Sequence, residues 1–231
     1  MLGSSLKFFF NYADFLNGKS DIDLTKIPEL KKYFKNRYYD IIIHTAAFTD
    51  LNFCEKNREK AFFLHSGIVS LLQDNCNRLI YISTNQIESK MVYYVSKRMG
   101  ELEVIKRNND LVIRTNLFGQ GGLVYWAINS LKKKKKINGF TDVFFNPVHV
   151  DQLSEFIACN LHKYEGILNI GSDKIISKFE FIKLLSKKFE LNTLLLEPSI
   201  KGNHQDLSIK LEDNFVKFSL SEGIEKLKFE K

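Results

Sequence analysis

The feature that most constrains this chain is a series of short apolar runs separated by helical patterns. DIIIHTAA (40–47), RLIYIST (78–84) and LVIRTNLFG (111–119) are each bounded by polar or turn residues, as strands buried on both faces are. Between the first two lies EKNREKAFFLHSGIVSLLQDNC, whose Ala61, Phe62, Leu64, Ile68, Leu71 and Leu72 can share one helix face. Between the second and third, VYYVSKRMGELEVIKRN is also helical in pattern. Upstream, DLTKIPELKKYFKNR predicts a helix entered at Asp23 or Thr25, with Pro28 in its first turn. GILNIG (166–171) predicts a later strand, and SKFEFIKLLSKKFEL (177–191) a further amphipathic helix. Strand, helix, strand, helix, strand at this spacing specifies an α/β fold with a doubly wound parallel sheet and right-handed crossovers.

The rest of the sequence narrows the setting. At 231 residues, with no Ser/Pro/Gly-rich linker, the chain is one sizeable domain or a domain with a small lobe. Cys54, Cys76 and Cys159 form no CxxC pair, which argues against structural zinc or a disulfide framework and for a reducing cytosol. No apolar run approaches the roughly 18 to 20 residues that span a bilayer, so no membrane partner is expected. The opening MLGSSLKFFFNYADF lacks the basic region and cleavage pattern of a signal peptide. The net charge of +7 is concentrated in KKKKK at 132–136. Following an apolar helical stretch, that run reads as a solvated helix end that suits the helix dipole. No finger, helix-turn-helix or aromatic-plus-basic pattern accompanies it, so no nucleic-acid partner is expected.

Ligands of such sheets bind beyond the carboxyl ends of the strands. Those ends carry Ala46–Ala47, Ser83–Thr84 and Arg114–Thr115–Asn116. Just after the second of them, in MVYYVSKRMGE, Tyr93 stands four residues before Lys97 and Tyr94 three before it. Both spacings share a helix face, and taken alone they fit an aromatic ring packed on a lysine stem. Other residues have equally plain structural readings. Asp23 suits a helix N-cap, Arg114 the neutralisation of a nearby acid, Ser83 and Thr84 the closing of a turn, and Asn116 a loop.

Read in order, the segments resemble the extended short-chain dehydrogenase/reductase superfamily, and within it the dTDP-4-dehydrorhamnose reductase (RmlD-like) sugar-nucleotide reductases. The matching stretches are SDIDLTK (20–26), DIIIHTAAFTDLNFCEKNREKAF (40–62), LIYISTNQ (79–86), VYYVSKRMGELEV (92–104), LVIRTNLFG (111–119), FTDVFFNPVHVDQL (140–153) and ILNIGSDKIISKFEF (167–181). The resemblance implies a Rossmann-like core formed by 1–118 and 146–170 and a small substrate-binding lobe formed by 119–145 and 171–231. It implies reduction of a 4-keto nucleotide sugar by NADPH or NADH, in deoxysugar and surface-polysaccharide synthesis in the cytoplasm, and leaves a homodimer open. Tyr93 would give a proton to the sugar carbonyl oxygen, which Thr84 would also bind. Lys97 would hold the nicotinamide ribose and lower the phenol from its ordinary ~10. Asp23, Leu24, Ala46, Ala47 and Ser83 would line the cofactor with Gly3, while Asn85 and Asn116 would contact substrate. Lys19 and Ser20 hint at a 2′-phosphate.

The chain also departs from that family. Its members open with a strand and a TGxxGxLG turn, whose glycines bring backbone N–H groups to the pyrophosphate. MLGSSL matches only the tail of that turn, leaving Gly3 alone. The reading is of an N-terminally truncated member, by an internal start or by loss, with weakened cofactor binding. A missing central strand would leave backbone groups unpaired at ~1 to 3 kcal/mol each if buried. Only eight residues separate Thr84 from Tyr93, a shorter loop than relatives carry, and His65 stands where they have asparagine. The alternative reading is therefore a binding or regulatory protein that has lost tight cofactor binding.

Overall fold

The computed structural model describes residues 1–16, 21–85, 90–202, 205–209 and 215–229. They form two compact units, Phe10–Arg114 with Asn160–Leu168, and Met1–Phe9 with Thr115–Cys159 and Asn169–Lys231. The first helix, α1 (Leu2–Leu6), belongs to the second of these.

The first unit begins with α2 (Ile27–Phe34). Its N-cap is Lys26, and Pro28 lies in the first turn, where a missing N–H costs nothing. Asp23 is not that cap. Its carboxylate accepts from the Thr25 N–H at 3.0 Å and the Thr25 hydroxyl at 2.7 Å, closing the turn that leads in. Then follow β1 (Tyr39–His44), α3 (Leu51–Lys56), α4 (Arg58–Phe62), α5 (Val69–Gln73), β2 (Cys76–Ser83), α6 (Val92–Val104) and β3 (Leu111–Thr115). The stretch that reads as a single helix between β1 and β2 is broken twice. Asn57 leaves helical geometry at φ −128°, ψ 54°, and Phe63–Gly67 form a π-helical turn in which the Ile68 N–H reaches back to the Phe63 carbonyl. Apolar periodicity cannot report such breaks, because the inward residues keep nearly the same face.

The three strands are parallel, with Ile43 opposite Ile80, His44 opposite Tyr81, and Ser83 opposite Arg114. The carboxyl ends of β1 and β2 therefore finish at one edge. Leu30, Phe34, Ile68, Val69, Leu72, Leu79, Tyr81 and Val112 make the core of this unit. Each fully buried aliphatic there contributes about 1.5–3 kcal/mol of burial free energy.

The second unit contains β4 (Leu117–Phe118), α7 (Gly122–Lys132), β5 (Ile137–Phe140), β6 (Val143–Phe145), β7 (Val148–His149) and α8 (Val150–Cys159). After β8 (Gly166–Ser172) come β9 (Ile176–Ser177), α9 (Lys178–Lys188), β10 (Leu196–Ser199), β11 (Gln205–Asp206), β12 (Phe215–Phe218) and α10 (Leu220–Glu225). The central sheet is parallel in the order β1-β2-β3-β8-β12. Small sheets β4-β7, β5-β10 and β6 between β9 and β11 surround a core of Phe118, Val124, Ile128, Phe145, Phe181 and Leu185. A reciprocal capping box of Ser177 and Glu180 starts α9. Helix α1 packs on α8, where the Ser5 hydroxyl donates to Asp151 at 2.7 Å. The lysine run ends α7 in solvent, with Lys136 paired to Glu197 at 2.7 Å. Among the described residues no helix is long and apolar enough to cross a membrane.

Candidate active site

Strand β2 ends at Ser83 and Thr84 follows it, both buried, and the Ser83 hydroxyl has no hydrogen-bond partner among the described residues. Helix α6 follows. Its first amide, Val92 N–H, donates to the Glu55 carboxylate of α3 at 2.8 Å, which satisfies an orphan donor and suits the positive end of the helix dipole. Tyr93 and Lys97 are one turn apart on this helix, and their surroundings differ. The Tyr93 ring packs with Phe48 and Phe62 against Cys54, Ala61 and Val92. It lies edge-to-face with His65 at 5.5 Å and with Tyr94 at 5.0 Å. Lys97 is 2% exposed. Its amine donates to the Ile82 carbonyl at 2.6 Å and sits 4.0 Å from the centre of the Tyr81 ring.

Burial governs the titration of both groups. It lowers Lys97 to about 7, against a smaller upward pull from Glu101, so the amine is poised between its two forms near neutrality. It raises the Tyr93 phenol, helped by Tyr94 and Cys54. The phenol is thus raised where the resemblance implies a lowering, with the ring in an apolar cluster and the amine held by β2.

Residues that the motif reading passed over complete the interior. His44 Nε2 donates to the Leu64 carbonyl at 3.1 Å, and the Tyr81 hydroxyl donates to the His65 carbonyl at 2.6 Å, so two strands are tied to the π turn. Burial, then the charge of Lys97, lowers His44 to about 4; the same causes, with His44 third, lower His65 to about 3. Glu101, buried, forms a bidentate pair with Arg114, whose Nη2 lies 2.6 Å away; this is the neutralising role that Arg114 also suggests in the sequence. Gly100 is required by contact, since a Cβ there would lie 2.2 Å from the His65 carbonyl oxygen and 2.4 Å from the Tyr81 hydroxyl. One signal for these residues is present in the sequence. Tyr93, Lys97 and Glu101 recur every fourth position, a polar stripe in a helix that must bury a face.

The other expected residues are placed as follows. Ala46 and Ala47 are half-buried just beyond β1, Asn85 follows Thr84, and Leu24 packs against the core of the first unit. Gly3 and Asn116 belong to the second unit. There Gly3 lies within α1, and the Asn116 side chain donates to the Leu207 carbonyl at 2.7 Å. Lys19, Ser20 and residues 86–89 lie outside the described residues.

The first unit offers groups that fit part of a nicotinamide dinucleotide. The unpartnered Ser83 hydroxyl, buried Thr84 and the near-neutral amine of Lys97 are groups that can bind a ribose or a carbonyl. Gly3, in the second unit, lies inside the five-residue α1, which has no side-chain cap, and so is not part of a glycine-rich turn.

The sequence profile of the RmlD substrate binding domain matches residues 2–205. The spore coat polysaccharide biosynthesis protein SpsK of Bacillus subtilis (strain 168) is 25% identical over 181 residues, 68% of this chain; the chain spans 64% of that relative's length. A dTDP-4-dehydrorhamnose reductase from Bacillus anthracis, solved with NADP, superposes with a TM-score of 0.81 at 22% identity, covering 97% of this chain and 94% of that one. A hypothetical dTDP-4-dehydrorhamnose reductase from Sulfolobus tokodaii superposes with a TM-score of 0.78 at 22% identity, covering 99% and 96%. At such identities the likeness establishes the fold, and the reaction has to be argued from the site.

Proposed function

The chain belongs to the RmlD substrate binding domain family, and from that premise we propose that it reduces the keto group of a nucleotide sugar, as a dTDP-4-dehydrorhamnose reductase-like protein of polysaccharide synthesis. The observation that carries this reading is the placement of Tyr93 and Lys97 one turn apart on the helix that follows the Ser83–Thr84 strand end. NADPH or NADH, when bound, supplies the hydride. Thr84 orients the carbonyl oxygen, and Tyr93, a phenol protonated at neutral pH and raised further by burial, delivers the proton. Lys97 binds the ribose. Asn116 and Asn85 contact the sugar, and Asp23, Leu24, Ala46, Ala47, Ser83 and Gly3 contribute to the cofactor's surroundings. A cytoplasmic setting suits three cysteines that are all free.

A second reading, a nucleotide-sugar binding or regulatory protein without turnover, is favoured by two contacts. The Lys97 amine already donates to Ile82, and Tyr93 is packed among Phe48, Cys54 and Phe62. Titration of NADPH, followed by nicotinamide fluorescence, and turnover of a 4-keto nucleotide sugar separate the two. The reductase reading expects weak but measurable NADPH binding and turnover abolished in Tyr93→Phe and retained in Tyr94→Phe. Sugar-nucleotide binding with no turnover in the native chain supports the second reading, and loss of activity in Tyr94→Phe alone overturns the assignment of the motif.

A further inference from the structure

The residue that joins most of this interior is His65, at the centre of the π turn. The Phe48 N–H donates to its Nε2 at 3.0 Å, and its Nδ1 lies 2.8 Å from the Ser96 hydroxyl. That hydroxyl in turn donates to the main-chain carbonyl of Tyr93 at 2.9 Å. The donor pattern settles the tautomer. A backbone N–H can only donate, so Nε2 must carry a lone pair, and the proton of the neutral ring is on Nδ1. The Ser96 hydroxyl then accepts from Nδ1–H and spends its own proton on Tyr93, giving an unbroken one-way chain from Phe48 through His65 and Ser96 to Tyr93. His65 and Ser96 are both fully buried, so no water competes for these bonds.

We propose that His65 is a positioning residue for Tyr93, its neutral Nδ1–H form fixing the first turn of α6 relative to the segment just beyond β1. The proposal rests on Tyr93 being the proton donor. The geometry supports it twice, through the relayed hydrogen bonds to the Tyr93 carbonyl and through the edge-to-face contact of the two rings. The π turn gives His65 its reach. The main-chain carbonyl of His65 is held by Tyr81 of β2 and that of Leu64 by His44 of β1, so the imidazole is presented by a turn anchored on both strands. The charged and titratable groups around the ring are Lys97 and Tyr93 of α6, His44 of β1 and Tyr81 of β2. A second proton on His65 would displace the Phe48 N–H and face Lys97, so protonation and positioning exclude each other.

The test uses ligand-free protein labelled with 15N-histidine and 13Cζ-tyrosine, so its outcome does not depend on whether the chain turns over a substrate. The native protein should show His65 protonated at Nδ1 only from pH 5 to 8, and one sharp Tyr93 resonance, assigned by its loss in Tyr93→Phe. Ser96→Ala breaks the relay and leaves the Phe48 bond; His65→Phe keeps the ring edge and removes both bonds. Each should shift or split the Tyr93 resonance, and where turnover is present kcat should fall about 10- to 100-fold with KM within about twofold, the size that a small misplacement of a reacting group produces. If His65→Phe does not fold, Ser96→Ala carries the measurement. An Nε2–H tautomer, titration of His65 near 6.5, or an unmoved Tyr93 resonance in Ser96→Ala overturns the proposal. Loss of turnover in every form with the tautomer and shifts as described would overturn the reductase reading and leave the positioning chain standing.

Discussion

Helix α6 turns Val92, Ser96, Lys97, Gly100, Glu101 and Val104 inward, whereas α7 turns Val124, Ala127, Ile128 and Leu131 inward. Both faces follow the helical period, but they are held by different physics. The α7 face is stabilised by non-directional burial, which tolerates exchange among side chains of similar volume. The α6 face buries an amine, a carboxylate and a hydroxyl, each with an assigned partner: Ile82, Arg114, and the pair His65 and Tyr93. Such groups cost free energy when unpartnered. The α6 face therefore depends on matched partners, where the α7 face depends on shape and volume.

The contrast breaks hardest at Gly100. Helix propensity alone makes Gly→Ala favourable by about 1 kcal/mol in a helix interior. On α6 the added methyl would meet a carbonyl oxygen at 2.2 Å and a hydroxyl at 2.4 Å, on the π turn and on Tyr81, neither of which can yield without giving up its own hydrogen bond. Gly100→Ala is therefore expected to cost about 3 kcal/mol or more, or to abolish folding, as read by urea denaturation. A stabilised variant would show that α6 is not seated as described.

Next in size is the buried ion pair. Glu101→Gln leaves the Arg114 guanidinium, 17% exposed, without its counter-charge, at an expected cost of about 3 kcal/mol. The pair Glu101→Leu with Arg114→Met should cost distinctly less than either single change, since no charge is then stranded. Equal costs for the single and double variants would mean that solvent, not the partner, stabilises each charge.

These residues also divide what was legible from what was not. The parallel order β1-β2-β3, Pro28 in the first turn of α2 and the inward face of the segment between β1 and β2 all follow from periodicity and turn chemistry, which act within a few residues. The break at Asn57, the π turn and the Lys97–Ile82 bond depend on groups brought together by the sheet, to which local pattern is blind. Asp23 shows the limit within a few residues as well: N-cap chemistry is present, but it serves the turn before α2 because Lys26 takes the cap. The stripe Tyr93–Lys97–Glu101 was visible as spacing. That its first two members would titrate apart, with the amine lowered and the phenol raised, depends on packing alone.

Lowering the pH separates the two helices by a different route. His44 and His65 titrate at about 4 and about 3 in the fold, against about 6.5 in an unfolded chain. Below pH 6.5 the unfolded state takes up protons that the native state refuses, so stability is lost as pH falls from about 6.5 toward those values. The slope approaches about 1.4 kcal/mol per pH unit for each histidine. Lys97 acts in a higher window. Between its native value of about 7 and about 10.4 unfolded, the unfolded state again holds the extra proton, so stability falls as pH drops through that range and is level below it. Urea midpoints from pH 4 to 10 should show both inclines, and His44→Phe should flatten the lower one by one proton. A flat profile below pH 6.5 would mean that water reaches these imidazoles.

The smallest expected effect is on α7, and it calibrates the rest. Ile128, 1% exposed, packs among apolar side chains of the second unit. Ile128→Val removes one methyl with no hydrogen bond or charge at stake, and should cost about 0.5–1.5 kcal/mol without altering the pH profile of stability. On α6, Ser96→Ala also removes a single heavy atom, yet it strands the Nδ1–H of His65 and removes the hydroxyl bond to the Tyr93 carbonyl. The two substitutions are nearly matched in volume and differ in what they leave unpaired. If urea denaturation gives them equal costs, the polar face of α6 is no more specific than the apolar face of α7. A cost for Ser96→Ala above that for Ile128→Val, with a changed Tyr93 environment, places the difference in the hydrogen bonds themselves.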